Sequence, residues 1–256
     1  MFPSTESKPR KVPVAALKRK TARVARLLEL HLGIPDRRRY PPAPLDMLVA
    51  TILSQNTNDK NSHRAYTELR RRYPSWELVA AAAPSAVRSA IRTGGMANQK
   101  GARIRETLAA VLRRYGKYDL SPLRKKSNDR IVEELTGLKG VGAKTAACVL
   151  LFSLGRDVFP VDTHVHRLCT RLGLAPGCKN PERTYAAMKA LVPTGKGHSF
   201  HTNLIRFGRT VCRSANPRCG VCPLCALCLF EGKTALKGLR HVPSRTDHDF
   251  MLLDNV

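Results

Sequence analysis

The chain has 256 residues, 43% of them hydrophobic, which allows one large domain or two modest ones around a buried core. No segment approaches the ~20 consecutive apolar residues that span a bilayer, and residues 1–20 lack the apolar core of a secretory signal, so we expect a cytoplasmic protein. Its 45 Lys and Arg against 19 Asp and Glu give a net charge of +26, which indicates a polyanionic partner, with nucleic acid as the first candidate.

The predicted elements begin after a basic arm over residues 1–16, which has no apolar periodicity. A helical pattern runs from Leu17 to about Gly33 and stops before the prolines of residues 41–44. Apolar spacing then predicts two amphipathic, core-facing helices, one carrying Leu45, Leu48, Val49, Ile52 and Leu53 and the other carrying Ile104, Leu108, Val111, Leu112 and Tyr115. Strand-type alternation is nowhere sustained, so the predicted fold class is all-α, followed by a loosely attached tail over residues 233–256.

A glycine-containing hairpin between two helices is the strongest binding motif, in Leu138-Lys-Gly-Val-Gly-Ala-Lys-Thr-Ala146. Gly140 and Gly142 can reach positive φ and let backbone N–H groups approach a phosphate, while the following helix offers its positive end. We therefore predict that Lys139, Gly140 and Gly142 contact DNA. The plain alternative is an ordinary turn between helices.

Lys144 stands in the first turn of the second helix of this motif, where the helix dipole is expected to lower its pKa and favour a nucleophilic neutral amine. An Asp follows 18 residues later, in Val161-Asp-Thr-His164. Either residue has an ordinary alternative, a solvated charge for the lysine and a helix N-cap for Asp162.

Together these two motifs resemble the active-site signature of the endonuclease III family of helix-hairpin-helix DNA glycosylases. The resemblance runs from about Leu17 to Glu231. It implies two lobes: an iron-sulfur cluster domain made of residues 17–41 and 157–232, and a six-helix barrel domain with the hairpin, made of residues 42–156.

By the same resemblance, Lys144 attacks the sugar C1′ of an oxidised pyrimidine nucleotide, while Asp162 activates the lysine or stabilises developing positive charge. A carboxylate stabilises the cation-like sugar that forms when a glycosidic bond breaks, and an amine then forms a Schiff base that promotes β-elimination. The implied activity is that of a bifunctional DNA N-glycosylase and AP lyase. Its partner would be duplex DNA containing damaged bases or abasic sites, bound by a monomer.

Five of the eight cysteines fall within residues 212–228, which in a reducing compartment indicates metal ligands rather than disulfides. The spacing with gaps of six, two and five residues matches the ligands of the [4Fe-4S] cluster in the resembled family, and these ligands would be Cys212, Cys219, Cys222 and Cys228. Tetrahedral zinc is the alternative, and Cys225 leaves the ligand choice open. Arg213 and Arg218 lie within the first gap, where a cluster could hold them against phosphates. We expect Cys148, Cys169 and Cys178 to be inert.

Weaker matches concern the gap that a flipped base leaves behind. The family fills it with a polar residue in a stretch commonly written Ser-Ala-Gln, but here the stretch over residues 54–59 reads Ser-Gln-Asn-Thr-Asn-Asp, so either Gln55 or Asn56 would fill it. Met96 matches an apolar wedge between base steps, and His164 matches a third inserting side chain. Each has core packing or capping as its default role.

Three other functions remain open. A glycosylase of the same superfamily can use water and leave the strand intact, but such relatives carry other residues at the position of Lys144. A DNA-binding module without catalysis would use Lys144 and Asp162 only as a phosphate contact and a cap. A redox carrier, suggested by the ferredoxin-like cysteines, has no need of either residue.

Overall fold

The structure is a computed structural model that describes residues 12–37 and 39–233. Every regular element in these ranges is helical, which confirms the predicted all-α fold class. The α-helices are α1 (Val14–Leu32), α2 (Pro44–Ser54), α3 (Asp59–Arg72), α4 (Trp76–Ala81), α5 (Pro84–Ala90), α6 (Ala97–Tyr115), α7 (Asn128–Thr136), α8 (Ala143–Cys148), α9 (Thr163–Arg171), α10 (Pro181–Met188) and α11 (Gly197–Thr210). No helix in the described part of the chain is both long and apolar enough to cross a membrane.

Helices α2 to α8 surround the first of two hydrophobic cores. Helix α2 lies at its centre, with nine of its eleven residues buried, so the predicted one-sided helix is in fact buried almost all round. Helix α6 is amphipathic as predicted, and Ile104, Leu108 and Val111 are buried. Leu112, which the pattern assigned to the core, is 40% exposed.

The second core joins the two ends of the described chain, because α1 packs against α11, and α11 packs against α9. Val158 still packs against the first core, whereas Phe159 belongs to the second, so the chain changes lobe between these residues. Two cores agree with the two-lobed architecture, while the exact domain boundaries stay a prediction. Helix α1 begins at Val14, three residues before the predicted start, and residues 1–11 of the basic arm and 234–256 of the tail lie outside the described residues.

A π-helical turn continues α8 over Val149–Ser153 and contacts α11 of the other lobe. Such turns are rare and are often found at functional sites. Towards the C-terminal end of α11, Arg209 forms an ion pair with Asp59 at the start of α3. Both residues also line a cavity.

Candidate active site

A cavity of about 530 Å³ is lined by residues from both lobes. One wall is the loop after α2, and the opposite wall is formed by α11 and the start of α9. Among the residues predicted from the sequence, it brings together Gln55, Asn56, Lys144, Asp162 and His164. A second cavity, of about 640 Å³ between α6 and α7, is lined by none of these residues; Gly137 and Leu138, at the start of the hairpin, and the ion-paired Glu134 lie in its wall.

Lys144 is the second residue of α8, two positions after its N-cap Gly142. Burial lowers the pKa of its amine, but the hydrogen-bonded Cys148 side chain and the Asp162 carboxylate raise it by more, so the net pKa shift is upward. The predicted lowering is therefore wrong for the DNA-free protein, because the hydrogen bond with Cys148 and the negative charge of Asp162 outweigh the helix dipole and burial. The Lys144 amine is therefore protonated before DNA binds.

Cys148 lies one helical turn after Lys144, is fully buried, and forms a hydrogen bond with it. Burial raises the pKa of its thiol, so the thiol is protonated at neutral pH. We expected Cys148 to be an inert core residue, yet it touches the candidate nucleophile. The i to i+4 spacing on α8 was the signal that sequence reasoning overlooked.

Asp162 is the N-cap of α9, where the backbone N–H of Val165 donates to its Oδ1 over 2.8 Å. The capping alternative is thus realised, but the carboxylate also lines the cavity and acts electrostatically on Lys144. The cap engages one oxygen, so a structural role and a charge at the site coexist in the same side chain.

The hairpin joins α7 to α8, and its two glycines serve different purposes. Gly140 has a φ of +77°, a left-handed conformation, and a Cβ there would overlap the side chain of Arg103. Gly142 is extended, with a φ of −95°, so the expected positive φ is wrong for this residue. No atom lies within 4 Å of a Cβ placed at Gly142, so its backbone is open to an approaching anion. Lys139 is exposed and pairs with Glu106 at 3.1 Å.

Asn56 and Met96 are both non-glycine residues in the left-handed region, each with a φ of 50°. The Asn56 amide lies 3.7 Å from the Met96 sulfur, and both side chains are exposed. Strained backbone of this kind persists only where the surroundings hold it and is concentrated at functional sites. Gln55 instead turns inwards, and its Oε1 accepts a hydrogen bond from Arg103.

A buried lysine supports both of these loops. Lys100 is 2% exposed and donates to the carbonyl of Leu53 over 2.8 Å and to that of Gly94 over 2.7 Å. The first carbonyl precedes the Asn56 loop and the second precedes Met96. Sequence reasoning missed both Lys100 and Arg103, since their partners are distant segments or backbone atoms.

His164 lines the cavity on the α9 side, with its Nδ1 atom 3.2 Å from Arg167 Nη2. Arg167 also donates to the carbonyls of Gly208 and Cys212. Arg167 therefore contacts the predicted inserting histidine and also connects α9 to the cysteine loop.

The five cysteines of the C-terminal loop line a single small cavity, together with the cationic side chains of Arg171, Arg218 and Lys233. Arg171 Nη1 donates to the sulfur of Cys212 over 3.4 Å, and its carbonyl accepts from the Cys228 thiol. Thiol donors surrounded by cations fit an anionic iron-sulfur cluster. Within residues 12–37 and 39–233, no three His, Cys, Asp or Glu side chains are arranged around a single metal ion position. Arg213 and Arg218 are exposed.

Comparison with known proteins agrees with this geometry. Residues 49–194, which contain the hairpin, Lys144 and Asp162, match the family model described as HhH-GPD superfamily base excision DNA repair protein. Endonuclease III of Thermotoga maritima is 34% identical over 204 residues, covering 80% of this chain and 90% of the relative. The chain belongs to the endonuclease III family.

Other relatives agree. Escherichia coli K12 endonuclease III is 32% identical over 221 residues, covering 82% of this chain and 97% of the relative. A putative DNA glycosylase of Arabidopsis thaliana is 39% identical over 149 residues, or 58% of this chain, and the match spans about half of that protein, 51%.

A solved non-covalent endonuclease III–DNA complex matches 83% of this chain and 95% of its own, with a TM-score of 0.71 and 25% identity. A thermostable thymine-DNA glycosylase shares the fold at a TM-score of 0.69 and 22% identity, covering 84% of this chain and 98% of its own. This member of the endonuclease III family is thus a base-excision DNA repair glycosylase.

Proposed function

We propose that this glycosylase is bifunctional: it removes oxidised pyrimidines from duplex DNA and then cleaves the abasic site by β-elimination through a Lys144 Schiff base. The observation that carries the proposal is the shared cavity of Lys144 and Asp162, which lies between the hairpin and the start of α9. Duplex DNA with a damaged base or an abasic site is the partner, bound by a monomer. The net charge of +26 favours such a polyanion.

The chemistry begins with the damaged nucleotide leaving the base stack, because its C1′ atom is out of reach within the duplex. The Asp162 carboxylate stabilises the positive charge that develops on the sugar as the glycosidic bond breaks. The departing base carries the bonding electron pair and needs a proton, which the Lys144 ammonium supplies. This proton transfer leaves a neutral amine beside the sugar at the moment when C1′ becomes electrophilic.

The neutral amine then bonds to C1′, and opening of the sugar ring gives an iminium. The iminium withdraws electrons from C2′, so loss of a C2′ proton is followed by departure of the 3′ phosphate, and the strand is cut. With this order of steps, the raised pKa of Lys144 is compatible with nucleophilic attack, because the side chain first donates a proton as an acid and then attacks as a nucleophile.

A second candidate is a monofunctional glycosylase, in which water attacks the sugar. The raised pKa of Lys144 favours it, since a lysine that kept its proton could serve only as a charge. In that case Asp162 would orient the water, and the DNA strand would stay intact.

We also propose that Cys212, Cys219, Cys222 and Cys228 hold a [4Fe-4S] cluster. When bound, the cluster would supply rigidity, crosslinking a loop that has only short 3₁₀ turns of its own. Arg213 and Arg218 would then be held facing the DNA backbone. Zinc is the alternative occupant, and Cys225 is the alternative ligand.

Borohydride trapping on a duplex with an oxidised pyrimidine tests the bifunctional proposal. Reduction of the Schiff base should give a covalent protein–DNA adduct with the wild type and none with Lys144→Ala, while DNA affinity stays nearly unchanged. Asp162→Asn should keep the fold, because asparagine caps a helix as well as aspartate does, but should slow base loss strongly. Base loss without adduct or strand cleavage would establish the monofunctional candidate instead.

A further inference from the structure

His201 of α11 is a buried histidine to which the proposed chemistry gives no role. It lines the cavity that holds Lys144 and Asp162, yet its side chain is only 1% exposed. Its ring packs edge-on against Phe152 of the π-helical turn and against Phe159. These aromatic contacts fix the plane of the imidazole.

The hydrogen bond at Nδ1 defines the tautomer of this ring. His201 Nδ1 lies 2.8 Å from the carbonyl oxygen of Pro160. A carbonyl oxygen only accepts, so Nδ1 carries the proton and donates. Burial holds the pKa of the imidazole down to about 4, so the ring is neutral at physiological pH. A neutral ring protonated on Nδ1 has an acceptor lone pair on Nε2.

That acceptor has no hydrogen-bond partner among the residues that the structure describes. Leaving a buried polar atom unpaired is costly, so an unpaired acceptor beside a candidate active site calls for an explanation, of which a catalytic role is one. Lys144 and Asp162 line the same cavity as His201 and act electrostatically on its ring, so both lie near it. Of the two, only the amine has N–H groups to donate.

We infer that His201 is a positioning residue for the Lys144 amine, with Nε2 accepting one of its N–H groups during attack on the sugar. A neutral primary amine has two N–H groups and one lone pair. If His201 holds one N–H and Cys148 contacts the other, the lone pair is directed into the cavity, where C1′ would lie. This inference rests on the proposed Schiff-base function.

Two substitutions distinguish the roles of the two ring nitrogens of His201. His201→Asn keeps a donor near Nδ1 for the Pro160 carbonyl and removes the acceptor at Nε2. His201→Gln places an amide oxygen near Nε2. The matched control is His198→Asn, since His198 packs against the same Phe152 three residues earlier on α11 but does not line the cavity.

We expect His201→Asn to bind the lesion duplex like the wild type but to form the borohydride adduct about tenfold more slowly in single turnover, the equivalent of ~1.4 kcal/mol. His201→Gln should recover most of that rate, and His198→Asn should match the wild type. Wild-type trapping rates in His201→Asn would overturn the inference. So would equal losses in the Asn and Gln variants, which would indicate a structural role.

Two further results keep the test decisive. If the wild type gives no adduct at all, the proposed function fails and this inference fails with it, whereas normal trapping in His201→Asn sinks only the inference. If both His201 variants fail to fold, ¹⁵N NMR of wild-type histidines bound to a duplex with a stable abasic analogue answers the question. The Nε2 resonance should shift from that of a free ring nitrogen towards a hydrogen-bonded one, and an unchanged resonance would refute the inference.

Discussion

Alanine at Gly140 should lower the stability of the protein, whereas alanine at Gly142 should weaken DNA binding and leave the stability unchanged. At Gly140, an alanine must adopt a φ of +77°, which costs a residue with a Cβ ~1–2 kcal/mol. Its methyl group would also displace Arg103 and break the Arg103–Gln55 hydrogen bond, a partly exposed interaction of ~1 kcal/mol. Gly140→Ala should therefore lower the free energy of unfolding by ~2–3 kcal/mol.

Gly142→Ala should cost almost nothing, because its φ of −95° suits any residue and a Cβ there meets no atom within 4 Å. It could even gain up to ~1 kcal/mol from the reduced entropy of the unfolded chain. Its methyl group would, however, stand where we expect a phosphate to approach. Gly142→Ala should thus weaken DNA binding without loss of stability.

Urea unfolding followed by the fluorescence of Trp76 measures the stability difference, since this is the sole tryptophan of the chain and it is buried in the first core. Salt-matched binding to an undamaged duplex measures the second effect. Equal stability losses in the two variants would refute the assignment of strain to Gly140. Unchanged affinity in Gly142→Ala would refute the phosphate contact.

Three other predictions follow from charged and thiol groups. Burial raises the pKa of the Glu134 carboxyl, but hydrogen bonds from Lys126 and Tyr115 outweigh burial, so the net pKa is lowered. The ionised carboxylate therefore stabilises the fold above pH ~4.3, and this stabilisation is lost as the pH falls through the folded-state pKa. Glu134→Gln should therefore be less stable than wild type at pH 7, with a difference in urea midpoint that closes as the pH falls through the folded-state pKa of Glu134; a difference independent of pH would contradict this. Replacing Arg213 or Arg218 by Ala should flatten the log–log salt dependence of DNA affinity by about one unit, and an unmoved slope would place that side chain away from phosphate. Purified protein should be brown with iron and sulfide, and the colour should survive Cys225→Ser but not serine at Cys212, Cys219, Cys222 or Cys228. Zinc as the sole metal after anaerobic purification would exclude the cluster.

The sequence predicts well what depends on local pattern. Apolar spacing located α1, α2 and α6, although α2 is buried almost all round because it lies at the centre of the first core, a property of tertiary packing that periodicity cannot report. The hairpin and the Val161–His164 motif pointed to Lys144 and Asp162 through their resemblance to the family signature, and the structure brings both side chains to one cavity, while their catalytic roles stay a prediction. The joining of α1 to the C-terminal core came only from family resemblance.

What the sequence could not predict depends on segments that are distant in the chain. Arg103 meets Gln55 and the backbone of Gly140, and His201 reaches the cavity from α11, without any motif to announce these contacts. The pKa of Lys144 was predicted in the wrong direction because the helix dipole is visible in the sequence, whereas the proximity of Asp162 is not.

Lys100 makes the Asn56 loop and the Met96 loop parts of one mechanical unit, since a single ammonium holds the carbonyl that precedes each. A substitution in one loop will thus alter the conformation of the other, and the effects of paired substitutions on stability will not be additive. If Asn56 fills the gap left by a flipped base and Met96 forms the wedge, as we predict, a variant with a new opposite-base preference at Asn56 should need a compensating change around Met96. The shared buried ammonium then couples the geometry that the two loops present to DNA.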